Sequence, residues 1–151
     1  MIFYRLVNEA YREDLSGYGS FLYGGRWNSK GLYALYGAEH ISLAALEIVV
    51  NYDRGMYKLI PRYYLLTLEV PETEVVQISN DALKKKWTED FSYTQFMGDQ
   101  FLRQNRHLVL RVPSAVIPEE YNLLLNPRHK DNGKVKIIES KLYGLDNRLF
   151  G

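Results

Sequence analysis

Glu47 lies in the run Ile41-Ser42-Leu43-Ala44-Ala45-Leu46-Glu47-Ile48-Val49-Val50, where every neighbour except Ser42 is apolar. At helical spacing Ile41, Ala44, Ala45 and Ile48 share one face, and Leu43, Leu46 and Val50 line another. A helix that is apolar nearly all round is a buried helix. A carboxylate there is costly to desolvate unless it is paired or hydrogen-bonded. The compensating group is a cation such as Arg26, or the hydroxyls of a bound substrate. From the residues alone, an ion pair with no catalytic duty and an active-site carboxylate stand equally open.

Gly24-Gly25-Arg26-Trp27-Asn28 is the second cluster that could do chemistry. Adjacent glycines allow close backbone approach or positive φ. The arginine after them offers a planar fork of donors suited to phosphate or carboxylate. Trp27 stacks on a flat ring or simply packs, and a tight turn with a surface arginine is the plainer reading. Tyr33 and Tyr36 precede the Glu47 helix on a strand-like piece. Three residues apart, they point to opposite faces of a regular strand. Ser114, in Arg111-Val112-Pro113-Ser114-Ala115-Val116, lacks the G-x-S-x-G setting of a hydrolase nucleophile. None of His40, His107 and His129 lies beside it, so a binding or structural role suits it better.

The sequence has no G-x-G-x-x-G or Walker-type loop. With no cysteine and no histidine pair at zincin spacing, no metal site is expected. The run Lys84-Lys85-Lys86 reads as a solvated face. The net charge of +1 argues against a dedicated nucleic-acid binder. No signal peptide and no bilayer-length apolar stretch is legible, so a cytoplasmic protein is expected.

These residues need a scaffold, and 151 residues with 46% apolar content suffice for one domain with a real core. The expectation is a single α+β domain over 1–151, with a mixed, mostly antiparallel sheet. Strands are expected at 2–6, 32–36, 62–70, 74–78, 107–112, 115–117, 121–125 and 134–139. Helices are expected at 40–52, 81–87 and 91–105. In the last, Phe91, Phe96, Phe101 and Leu102 are read as a buried stripe. Residues 7–25 read as a long glycine-studded loop, and 54–61 as a connector. The sequence holds 13 tyrosines, which suits a pocket for flat rings. This aromatic load is also compatible with self-association.

Taken together, the pieces resemble the RES domain, a bacterial toxin family named for arginine, glutamate and serine. The Gly-Gly-Arg-Trp-Asn segment, a tyrosine before a helix, a glutamate within it and a later Pro-Ser fall here at Arg26, Tyr36, Glu47 and Ser114. Phe3-Tyr4-Arg5 resembles the family's opening strand. Asn122-Leu123-Leu124-Leu125-Asn126-Pro127-Arg128-His129 resembles its Asn-x-Leu-x-Asn-Pro-x-His segment. The resemblance runs from Phe3 to His129 and is least diagnostic over 53–105.

It implies a fold related to ADP-ribosyltransferases and an activity that destroys NAD, with NAD as substrate and no separate cofactor. It also implies an Xre-like antitoxin as partner. On this reading Glu47 stabilises an oxocarbenium-like ribose, and Arg26 holds the pyrophosphate or orients Glu47. Tyr36 meets the nicotinamide end, and Ser114 and Arg5 position ligand or loops. Trp27 and Asn28 join them as substrate-binding residues. Transfer of ADP-ribose to a protein shares the same site, and a non-catalytic binding module is the reading from another class.

Overall fold

The computed structural model describes residues 1–51 and 62–150. The connector expected at 54–61 lies outside them. Seven strands form one sheet: β1 (Ile2–Asn8), β2 (Leu35–Ala38), β3 (Tyr63–Glu69), β4 (Val75–Gln77), β5 (Val109–Pro113), β6 (Tyr121–Leu125) and β7 (Lys136–Tyr143). Their spatial order is β4-β5-β6-β2-β1-β3-β7. Only β4 and β5 run parallel; the remaining neighbours are antiparallel. This is the mixed, mostly antiparallel sheet expected from the sequence.

Alternation builds the core on both faces. In β1, Phe3 and Val7 enter one cluster with Leu35, Leu66, Leu68 and Leu125. Leu6, on the other face, packs with Ala38, Leu65, Leu43 and Ala44. The last two belong to helix α2 (Ile41–Val50), which covers that face of β1 and β2. Strands β5 and β6 are apolar almost throughout because both their faces are covered. Val109, Leu123 and Leu125 join the first cluster. Leu110, Val112 and Leu124 pack with Trp27, Trp87 and Leu102. Leu102 comes from helix α3 (Phe91–Gln104).

The sheet parts at its centre. β1 and β2 share one register pair, Tyr4↔Ala38. A continued antiparallel ladder would set Leu6 opposite Tyr36, and that pairing is not made. The Tyr36 carbonyl instead accepts a hydrogen bond from the Arg5 guanidinium. Both strands border a cavity at this split, through Tyr4, Arg5 and Leu6 on one side and Tyr36, Gly37 and Ala38 on the other.

Four local expectations need correcting. Residues 7–25 are not one loop. β1 runs on to Asn8, whose side chain accepts from Ala10 N at 3.1 Å and caps a 3-10 turn, Glu9–Tyr11. A short helix α1 (Tyr18–Tyr23) follows, flanked by Gly17 at φ +75° and Gly24 at φ +72°. Residues 81–87 form no helix, because Lys86 takes a left-handed φ of 60° between two 3-10 turns. Residues 115–117 form no strand, because the Ser114 hydroxyl accepts from both Val116 N and Ile117 N at 3.1 Å. That local bonding curls the segment out of any ladder.

The stripe expected on α3 is buried at Leu102 and half-buried at Phe101, but not at its other two members. Phe91 and Phe96 are 52% and 62% exposed. Their five-residue spacing sets successive rings about 140° apart around a helix. The buried face joins Thr94, Gly98 and Asp99 to the expected Leu102.

Candidate active site

The buried face of α3 is polar because its neighbour is backbone. The segment 24–28 lies against it as a tight turn closed by Gly25 N donating to Asn28 O at 2.9 Å. Its carbonyls need donors. Thr94 Oγ1 donates to Arg26 O at 2.6 Å, and Gln95 Nε2 donates to Gly25 O at 2.9 Å. Gly98 leaves room for the Trp27 carbonyl, which would sit 1.7 Å from any Cβ added there. Asp99 takes Ser29 N at 2.8 Å and Ser29 Oγ at 2.6 Å, tying down the far end of the turn.

Tyr36 fixes the turn from the sheet side. Its hydroxyl accepts from Trp27 N at 3.0 Å and donates to Asn28 Oδ1 at 2.7 Å. Burial pushes this phenol well above its ordinary range, and the Trp27 N–H only partly offsets that. The hydroxyl is therefore occupied by the loop, and what Tyr36 adds to the cavity wall is its ring. Gly25 is required at this contact, since a Cβ there would lie 2.8 Å from the Tyr36 hydroxyl.

Arg26 emerges from this turn into the cavity. Its guanidinium donates to Thr88 O at 2.9 Å and lies 4.3 Å from the centre of the Phe91 ring. Burial lowers its pKa, with Glu47 and Tyr36 acting in the opposite sense. No ion pair joins Arg26 to Glu47, so the expected compensation of the carboxylate by this cation is not what the structure shows. Glu47 is held by neutral donors: Ser114 Oγ and Asn122 Nδ2 each donate to its Oε1 at 2.8 Å. Nor is α2 buried all round. Only Leu43 and Ala44 are buried, and the Glu47 side of the helix borders the cavity.

The cavity measures about 520 Å3 and is bordered by Arg5, Arg26, Tyr36, Glu47, Phe91 and Asn122 among others. That volume suits a small-molecule site. Arg5 is half-buried, its buried Nε takes no hydrogen bond among the described residues, and desolvation lowers its pKa to about 10 against an opposing pull from Asp14.

Three residues read from the sequence as substrate-binding have their polar or ring contacts within the protein. Trp27 borders the cavity, but it is 2% exposed and its ring packs 5.8 Å from Trp87. Asn28 is fully buried and its Nδ2 donates to the carbonyls of Ser20, Ser29 and Leu32. Ser114 is likewise fully buried, and its hydroxyl is spent on Glu47 and two backbone N–H groups. Sequence reasoning missed Phe91, Thr94, Gln95 and Asp99, which carry no signal apart from their contacts. It quoted Asn122 within a motif but gave it no role.

The sheet is split at its centre, with a carboxylate and an arginine bordering the opening, in a fold that resembles that of ADP-ribosyltransferases. A chain of the M. tuberculosis MbcT-MbcA toxin–antitoxin complex has this fold, with a TM-score of 0.78 over 94% of this chain and 83% of that one. At 23% identity this likeness concerns the fold alone. Sequence comparison gives the family. The RES domain profile matches residues 2–146, and the chain belongs to the RES domain family.

A Photorhabdus laumondii protein named Toxin Res is 37% identical, covering 99% of this chain and 97% of its own length. A Yersinia enterocolitica protein of the same name is 36% identical over 86% of each. A Sphingobium protein named Prs ADP-ribosylating toxin is 34% identical, covering 97% of this chain and 95% of its own. No helix among the described residues is long and apolar enough to cross a membrane.

Proposed function

We propose that this chain is the toxin of a toxin–antitoxin pair and cleaves NAD at the nicotinamide–ribose bond. The observation that carries the reading is Glu47, a carboxylate tethered at Oε1 by two neutral donors and bordering the same cavity as Arg26. Cleavage breaks the glycosidic C–N bond. Nicotinamide leaves with the electron pair as a neutral molecule, so no strong general acid is needed. The anomeric carbon is left oxocarbenium-like, as in glycoside hydrolysis. A carboxylate in a water-poor site stabilises that charge strongly.

Glu47 does this through the ribose hydroxyls and the developing cation. Arg26 supplies a donor fork to the pyrophosphate, and the Tyr36 ring forms part of the wall. Arg5 braces the split by holding the Tyr36 carbonyl. A water or phosphate oxygen then forms the new bond to the ribose. The partner is an antitoxin of the Xre-like kind, and the protein acts in the cytoplasm.

A second reading is supported by the Sphingobium relative, named an ADP-ribosylating toxin. It uses the same site and differs in the acceptor. The test is to incubate purified protein with labelled NAD, with and without phosphate. Nicotinamide release with free ADP-ribose or its phosphate supports hydrolysis or phosphorolysis. Label on protein supports transfer. Intact NAD at high protein concentration overturns both and leaves a binding module.

A further inference from the structure

Two hydrogen bonds converge on one oxygen of Glu47, and their directions are fixed by chemistry. A serine hydroxyl has one proton and two lone pairs. Ser114 Oγ accepts from Val116 N and Ile117 N, each at 3.1 Å. Its single proton is therefore directed to Glu47 Oε1, 2.8 Å away. Asn122 Nδ2 can only donate, and it reaches the same Oε1 at 2.8 Å. Glu47 Oε2 takes no hydrogen bond among the described residues.

The two donors come from places the fold holds rigidly. Asn122 lies in β6, opposite Ala38 of β2 on one side and Val112 of β5 on the other. Ser114 follows β5 directly and is anchored by its own N–H to Glu120 O at 2.8 Å.

We infer that Asn122 is a positioning residue for Glu47: with Ser114 it ties down Oε1 and leaves Oε2 as the one oxygen offered to substrate. A glutamate has three side-chain torsions, and an untethered carboxylate would sample several orientations. Locking one oxygen from the sheet fixes the carboxylate plane without neutralising it with a cation. That leaves Arg26 outside any ion pair with Glu47. The role in catalysis rests on the NAD-cleaving reading above; the tether itself does not.

The experiment combines kinetics with crystallography. Asn122→Ala lowers kcat for nicotinamide release by about 10- to 100-fold, the scale of a misplaced catalytic group. KM for NAD stays within about twofold, because no ligand contact is lost. Asn122→Asp keeps the shape but turns an acceptor towards Oε1, and lowers kcat at least as far. Combined with Ser114→Ala, the losses are non-additive, since both act through one oxygen.

A raised KM with unchanged kcat would make Asn122 a ligand contact and overturn the inference, as would wild-type kcat in Asn122→Asp. The crystal structure of Asn122→Ala reads the tether without relying on turnover. Glu47 is expected in more than one rotamer, and an unmoved carboxylate overturns the inference. If the wild type releases no nicotinamide, the functional reading fails and the crystallographic result still decides the tether.

Discussion

Arg26 and Glu47 border one cavity yet form no ion pair. The carboxylate is met by Ser114 and Asn122, and the guanidinium by the Thr88 carbonyl and the Phe91 ring. Each charge is held by neutral groups, so neither is cancelled by the other. Opposite charges kept apart across one cleft suit a substrate that carries anionic phosphates and develops a cation at its ribose.

Glu47→Gln preserves the shape of the side chain and removes its charge. Turnover of NAD should fall by at least about 100-fold, the scale of a lost electrostatic stabiliser. NAD affinity, measured by calorimetry, should change little. Retained nicotinamide release in this variant would remove Glu47 from the mechanism.

Arg26→Ala should act mainly on binding. A charge-assisted hydrogen bond to phosphate is worth about 1.5–3 kcal/mol, which predicts a KM raised roughly ten- to hundredfold. Arg26→Lys should recover only part of this, because an ammonium cannot reproduce the bidentate fork. An unchanged KM in Arg26→Ala would show that the pyrophosphate lies elsewhere.

Gly98→Ala tests the seating of the turn on α3. The added Cβ would meet the Trp27 carbonyl at 1.7 Å, and backbone cannot swing aside as a flexible side chain can. Overpacking of this kind costs about 1–3 kcal/mol. The melting temperature should drop, and activity should fall with it as Arg26 moves. A wild-type melting temperature would mean that the helix and the turn can separate freely.

Tyr36→Phe strands the Trp27 N–H and the Asn28 amide oxygen. Unsatisfied buried groups cost about 1–3 kcal/mol each, so denaturant midpoints near neutral pH should fall. The pH dependence carries a sign. The folded protein keeps Tyr36 protonated above the ordinary value of 10.0, while the unfolded chain ionises there. The unfolded state then binds fewer protons, and stability falls as pH rises.

The contribution of Tyr36 is thus fully present below that value and is lost above it. Arg5, lowered by burial to about 10, works in the opposite direction, but it is common to both proteins. Comparing wild type with Tyr36→Phe at about pH 8 and about pH 10.5 isolates the tyrosine. The gap between them should narrow at the higher pH, and a constant gap would contradict a buried, protonated phenol.

Much of the scaffold was legible because it rests on local pattern. The strands read at 2–6 and 62–70 are β1, which runs on to Asn8, and β3. The apolar runs read at 107–112 and 121–125 are β5 and β6. The helix read at 40–52 is α2, observed over Ile41–Val50, and Pro113 ends β5 as expected. The family motifs single out Arg26, Tyr36, Glu47 and Ser114 because chemistry at a cleft constrains residue type one position at a time.

What the chain alone did not disclose are relationships between distant residues. The period of a helix says which positions share a face, but not whether the facing surface is side chain or backbone. Hence α3 hides Thr94, Gly98 and Asp99 and exposes Phe91 and Phe96. An isolated carboxylate calls for a partner, and the sequence points to the nearest plausible cation. Only the parting of β1 from β2 and the register of β6 decide that the partners are Ser114 and Asn122. Residue types set what each group can do; hydrogen-bond partners 67 and 75 positions from Glu47 are set by the folded sheet.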